Sequence, residues 1–342
     1  EDCQWICKLF SLGLLRPSVI PTDHIRQLRI YMRLRSDHIS MAGQHKQHIQ
    51  KALIMMNVRL PEAISDITGQ SGRKMIEAIL KGERDPDHLL SLCHTSIRRK
   101  KAEEIRRALT GIYKDEYLFA LAQAYNCWSF YQGQIQQCDD KISAWIDNSL
   151  PPDKTLVSNK KLKRAAGINK INIPNFEQKL LLLYGNKDVT RLPGLGCNNA
   201  LELMAELGTD LSKWPDATQF VNYLGLAGQK AYSGKKRKQK RREMPAAGQI
   251  FREAAQTLLK STRIGLGTFA RRLRSRKGPY IAIKATARKI AIMYYNILTK
   301  GIEYIEAGTE AYQKQLQETE LKRLAKLARK LNLTLTPLTV HQ

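Results

Sequence analysis

Apolar positions recur at helical spacing along almost the whole chain, and strand-like alternation is nearly absent. Ile6, Leu9, Phe10 and Leu14 share one side of a first helix. Two acids open this segment and no small-residue cleavage site follows, so an amphipathic helix is the better reading than a leader peptide. After Pro17 and Pro21, residues 22–57 hold no proline and one glycine, with Thr22 or Asp23 as a cap. Ile25, Leu28, Met32, Ile39 and Leu53 form an interrupted stripe beside Arg26, Arg29, Arg33 and Arg35. A helix of this length extends ~54 Å at ~1.5 Å per residue and needs a partner over its stripe.

Residues 115–148, rich in Leu, Ala, Gln, Tyr and Ile, supply one. The two segments predict an antiparallel coiled-coil arm, with two ordinary core helices as the open alternative. Short helices near 71–81, 86–92 and 96–109 are predicted between them, set apart by Gly69, Gly72, Gly82, Pro86 and Gly111. Residues 149–176 combine three prolines with a basic cluster and read as a linker. A second helical domain runs from Phe176 to about Glu306, then an amphipathic helix over roughly 309–331 with Leu316, Leu321, Leu324 and Leu327. The fold class is therefore all-α, divided at 1–21, 22–149, 150–175, 176–306 and 307–342.

Composition adds a partner. The 342 residues carry 57 Lys plus Arg against 31 Asp plus Glu, a net charge of +26. Residues 230–290 hold 19 of the basic and 2 of the acidic residues. Charge of that density points to a polyanion, and nucleic acid is favoured over a membrane surface because no long apolar helical face accompanies it. No run of about 18 apolar residues spans a membrane. The six cysteines (3, 7, 93, 127, 138 and 197) form no C-x-x-C pair and suit neither a zinc site nor a disulfide framework. His45 and His48 lack a third ligand nearby.

Three stretches carry candidate chemistry. In 189–208, "VTRLPGLGCNNALELMAELG", Gly194 and Gly196 precede a helix starting near Asn198, a helix-hairpin-helix pattern. Its glycines let backbone N–H groups approach a phosphate at a helix N-terminus without reading sequence. A plain interhelical turn stays open, and Glu206 defaults to a solvated position. In 220–259, a helix over Ala217–Leu224 leads to Ser233, Gly234 and the basic run Lys235, Lys236, Arg237, Lys238, Lys240, Arg241 and Arg242. A serine that attacks a phosphodiester needs an accessible hydroxyl, a base, and cations on the nonbridging oxygens; this segment supplies the first and last. A simple phosphate-contacting loop is the alternative. Seven phosphate contacts on duplex DNA would give a log–log salt slope of about −6. In 261–308, Arg271, Arg272, Arg274, Arg276 and Lys277 close one helix, where their charge also suits the dipole. Ala282, Ala285, Ala287, Ile290 and Met293 form the small-residue face of the next, with Lys284, Arg288 and Lys289 outside.

In order and spacing these stretches resemble the C-terminal domain of the insertion-sequence-110 family of transposases, the DEDD-type, RNA-guided recombinases. The matching residues are "LPGLG…A…ELG", "F…YLGL…SG", "AAQTLLKS…LGTFARRLRSRKG" and "A.KATARKIA…Y..L..G.EY". "DCQWICKLFSLGLLRPSVIP…IRQLRIYMRLRSDHI" resembles the stretch joining the family's RuvC-like domain to its coiled coil, and "DITGQSGRKMIEAILKGERDP" is similar to an internal stretch. The resemblance covers nearly the whole chain. It departs at Ala227-Gly228, where Cys/Ala-Pro is usual, and at Gly234-Lys235, where Gly-Gly is usual.

The resemblance implies that Ser233 is the catalytic serine, forming a covalent protein–DNA intermediate. It implies that Asp2 is the last of four carboxylates that bind Mg²⁺ in the RuvC-like domain, with the other three before Glu1. Residues 1–21 would then be a remnant of that domain. The expectation for such a truncated chain is nucleic-acid binding without recombination, because one carboxylate cannot hold a hard divalent ion. Expected partners are DNA, a noncoding guide RNA and further copies in a homodimer or homotetramer. The expected location is the cytoplasm, at the nucleoid. The rival functions are a noncatalytic nucleic-acid scaffold and a Mg²⁺-dependent junction nuclease of RuvC type.

Overall fold

The structure, a computed structural model, describes residues 2–15, 21–151, 169–171, 173–227, 231–233, 236–238, 244–261, 265–301, 318, 321, 324–325 and 328–331. Much of the linker and most of the C-terminal helix expected from the sequence lie outside these residues.

The chain forms two compact units. One comprises residues 30–145 with 167–169. It is framed by most of α2 (Asp23–Met55) and α7 (Asp115–Asn148). Between these helices come α3 (Leu60–Ala63), a single turn the sequence reading did not foresee, and α4 (Gln70–Leu80), α5 (Pro86–Ser91) and α6 (Thr95–Leu109), each within two residues of the sequence expectation. Within this unit α2 and α7 run antiparallel, for Arg35 pairs with Asp139 while His38 and His45 both meet Tyr131. The core is aliphatic: Ile49, Leu53, Met56, Leu60, Ile67, Met75, Ile76, Ile79 and Ile105 are fully buried. Gly72 is required there, since a Cβ would lie 2.2 Å from the Ile67 carbonyl oxygen. Asp85 caps α5, accepting from the Asp87 and His88 amides, with Pro86 in the first turn where its missing N–H costs nothing.

The other unit comprises residues 1–29, 146–166 and 170–342. It contains α1 (Asp2–Ser11), which buries none of its residues, leaving Trp5, Ile6 and Phe10 exposed. It also contains α8 (Phe176–Leu183), a 3₁₀ turn at Val189–Arg191, α9 (Cys197–Leu207) and α10 (Ala217–Tyr223). Strands β1 (Ala231–Ser233) and β2 (Lys236–Lys238) come next, then α11 (Ala246–Leu258), α12 (Gly265–Lys277) and α13 (Pro279–Lys300). Helix α13 is the central element, packing against α10, α11 and α12. Of its predicted small-residue face, Ala282, Ala287 and Ile290 are buried, joined by Thr286, Ala291, Tyr294 and Ile297; Ala285 and Met293 are only half-buried. This core is aromatic and hydroxyl-bearing. The buried Tyr184 hydroxyl donates to the Ala200 carbonyl at 2.7 Å and lies 3.1 Å from that of Tyr294. Tyr295 donates to the Trp214 carbonyl at 2.7 Å. Phe220 and Phe251 pack on the Tyr294 ring. The interior pushes the Tyr184 and Tyr294 hydroxyls well above the usual phenol range, so both stay protonated donors.

Candidate nucleic-acid interface

The sequence predicted a loop over the basic run. The structure has instead a short antiparallel ribbon, with Ala231 opposite Lys238, Tyr232 opposite Arg237 and Ser233 opposite Lys236. Alternation could not reveal strands of three residues each. Seven cations in eight positions mask any period-two pattern.

What precedes and follows the ribbon is closely held. Helix α10 begins at Asp216, whose carboxylate accepts from the Gln219 amide at 2.7 Å. It ends at Gly225 in the left-handed region (φ +69), where only glycine is unstrained. A Cβ at Gly225 would lie 3.7–3.8 Å from Pro245 and Met244, so the segment leaves and re-enters the helical body at one place. Gly248, in the first turn of α11, presses against the end of α10: a Cβ there would lie 2.2 Å from the Leu224 carbonyl oxygen. The sequence reading overlooked Gly248, although a glycine inside a helical pattern is the signal of a close backbone approach.

The Pro193–Gly196 turn meets the same helix. Gly194 has φ +82, and a Cβ would lie 2.6 Å from the Ala254 carbonyl oxygen on α11. Its glycine is thus required for packing, whatever the turn binds. Gly196 is exposed at the start of α9, where its amide donates to Asn199 Oδ1 at 3.3 Å. Glu206, expected to be solvated, lies 3.6 Å from the Arg29 guanidinium instead. Arg29 also donates to the Ala205 and Glu206 carbonyls, at 2.9 and 2.6 Å, and so closes the C-terminal turn of α9.

The arginines of α12 divide. Arg271 donates to the Ser261 carbonyl and, at 3.2 Å, to Thr268 Oγ1, tying α12 to the end of α11; Gly267 makes room for the same joint. Arg271 is thereby a structural contact rather than an open phosphate ligand. Arg272 is half-buried. Arg274, Arg276 and Lys277 are exposed and make no ion pair among the described residues. Elsewhere the Arg252 guanidinium sits 5.6 Å from the Tyr280 ring centre and Lys289 Nζ 4.6 Å from that of Phe269. Of the remaining expected site residues, Ser233, Lys236, Arg237 and Lys238 lie on the ribbon, while Gly234, Lys235, Lys240, Arg241 and Arg242 lie outside the described residues.

No alternative nucleophile or metal centre emerges among the described residues. Burial, with Glu177 and Asp188 adding to it, pushes the Cys197 thiol up to about 11, and burial raises Cys93 and Cys138 too, so these thiols stay protonated. Asp2 is exposed on the first turn of α1, and no three His, Cys, Asp or Glu side chains converge anywhere among the described residues. A lone exposed carboxylate does not supply the several oxygen ligands that Mg²⁺ takes.

The helical body carries a basic ribbon, and among the described residues no helix is long and apolar enough to cross a membrane. Residues 186–265, from the turn before α9 through the ribbon to the start of α12, match the family described as Transposase IS116/IS110/IS902 family. The chain carries the domain of that family of insertion-sequence transposases, as its motifs indicated. A comparison with curated proteins returns no match.

Proposed function

We propose that this transposase cuts and rejoins DNA with Ser233 as nucleophile on the basic ribbon. The observation that carries the reading is the register. Ser233 stands opposite Lys236 in the closing pair of the ribbon, inside the segment that matches the transposase family. This backbone pairing of the serine with a lysine supports the reading, since a cation near the nonbridging oxygens of a phosphate under attack is what such a step requires.

In the step itself, Ser233 Oγ attacks phosphorus. The Oγ–P bond forms as the bond from phosphorus to one flanking sugar oxygen breaks. The hydroxyl proton passes to a base and the leaving sugar oxygen takes up a proton. A free sugar hydroxyl then reverses the step on a second strand. In the same register Lys238 pairs with Ala231 and Arg237 with Tyr232. Arg274, Arg276 and Lys277 give further phosphate contacts, and the exposed Gly196 at the start of α9 allows a nucleic-acid backbone to approach without base reading, provided its amide exchanges Asn199 for a phosphate oxygen. A noncoding guide RNA on the same basic surface and assembly as a homodimer or homotetramer complete the proposal.

The carboxylate cage of the RuvC-like domain is expected to be needed alongside Ser233, so the test is the Ser233→Ala variant with the upstream sequence supplied, on labelled element-end DNA. Expected are loss of a denaturation-resistant protein–DNA adduct and a fall in strand exchange of about 10³-fold or more, with binding retained. Unchanged exchange would overturn the nucleophile. Cutting that a chelator abolishes but Ser233→Ala leaves intact would install the RuvC-type nuclease instead.

A further inference from the structure

The unit formed by residues 30–145 holds a cluster of cations that the ribbon does not absorb. Helix α6 carries Arg98, Arg99, Lys100, Lys101, Arg106 and Arg107, and its two halves treat them differently. In the C-terminal half the charges are neutralised. Arg106 meets Asp87 at 2.6 Å and Glu103 at 3.5 Å, and Arg107 meets Glu103 at 3.3 Å. The helix kinks at Lys101 (φ −134), whose ammonium donates to the Ala63 carbonyl at 2.8 Å and lies 3.5 Å from Glu104.

Ahead of the kink nothing neutralises the charge. Arg98, Arg99 and Lys100 are exposed, and no acidic residue occurs between Asp87 and Glu103. Among the described residues Arg99 and Lys100 make no ion pair, and Arg98 reaches only the Ser91 carbonyl, at 3.5 Å. Helix α4 extends the cluster. Ser71 Oγ accepts the His94 amide at 3.0 Å, and Cys93 meets Met75, which places exposed Lys74 beside the turn that starts α6. Consecutive like charges at the start of a helix oppose both one another and the helix dipole, so the arrangement costs stability and no ion pair among the described residues offsets it. A solubilising face would intersperse the two signs, as the C-terminal half of α6 does.

We infer that Lys74, Arg98, Arg99 and Lys100 form a second nucleic-acid surface, which grips the phosphate backbone of a duplex independently of the ribbon. No aromatic side chain stands among the four to stack on bases, so the contact is sequence-independent and purely electrostatic. The surface belongs to a different unit from Ser233 and does not depend on the serine reading.

The test is the triple variant Arg98→Gln/Arg99→Gln/Lys100→Gln in the whole chain. Binding to a DNA duplex and to an RNA hairpin is titrated across salt concentrations. Expected is at least tenfold weaker binding of one or both, with the DNA log–log salt slope shallower by about 2–3. Thermal stability should be unchanged or raised, because the removed charges oppose the helix dipole. Loss confined to DNA or to RNA names the ligand. Unchanged affinity and slope for both would overturn the inference, as would weaker binding that merely follows a lowered melting temperature.

Discussion

The two units are both helical, but they bury different chemistry. The unit of residues 30–145 has an aliphatic interior and keeps most of its ion pairs near the surface, such as Lys46–Asp66 and Arg106–Asp87, with Arg35–Asp139 the buried exception among the described residues. The unit containing α8–α13 buries hydroxyls and bonds those of Tyr184 and Tyr295 to the backbone carbonyls of Ala200 and Trp214, while the buried Thr286 hydroxyl has no partner among the described residues. Aliphatic packing fills volume and tolerates adjustment, whereas directional hydrogen bonds fix which carbonyl faces which ring. The fixed interior lies in the unit that contains the basic ribbon, where the proposed chemistry depends on position. The adaptable interior lies in the unit whose α6 cations are proposed to contact phosphate, a task that asks only for proximity.

The comparison breaks first at its glycines. Gly248→Ala and Gly72→Ala each place a methyl group about 2.2 Å from a carbonyl oxygen, of Leu224 and Ile67 respectively. Each should destabilise its own unit by about 3 kcal/mol or more, read from urea midpoints. Only Gly248→Ala should also weaken DNA binding at temperatures where the protein stays folded, because it moves the root of the ribbon.

Next is Asp139→Ala. It strands the Arg35 guanidinium, of which 8% is exposed, and should cost about 3 kcal/mol, whereas replacing both partners with apolar residues should cost far less. Tyr184→Phe sharpens the contrast more gently. Loss of its bond to the Ala200 carbonyl should cost about 1 kcal/mol, and should depress strand exchange more than any comparable Ile→Val change in the aliphatic interior.

The smallest effect is in pH. Burial works to raise the Asp66 carboxyl, but hydrogen bonds from Lys46 and Thr68 outweigh it and hold the group below its ordinary 3.8. A depressed folded value means that Asp66 stabilises above about pH 4 and that this contribution fades as pH falls through the folded value. The stability gap between the native protein and Asp66→Asn, measured by urea at pH 7 and pH 3, should therefore narrow at the acid end.

Much of this was legible from periodicity and punctuation. Helices α2 and α7, the short helices between them and the onset of α8 at Phe176 follow from apolar spacing and from Gly and Pro positions. Ser233 and the basic run stood out by residue type and by resemblance alone. Three things required the fold. The ribbon's register, which sets Lys236 against Ser233 and Arg237 against Tyr232, depends on pairing across a turn. The division of the arginines, with Arg271 on the Ser261 carbonyl and Arg274 and Arg276 exposed, depends on which carbonyl lies within reach. The true duties of Gly194 and Gly248, against Ala254 and Leu224, depend on backbones brought together from distant parts of the chain.

The reason is physical. Helix periodicity, charge density and turn chemistry are local properties of neighbouring residues, so the sequence by itself determines them. Which cation is neutralised, which glycine is irreplaceable and which residue faces the serine are properties of contacts between residues far apart in sequence. Only the tertiary structure decides those.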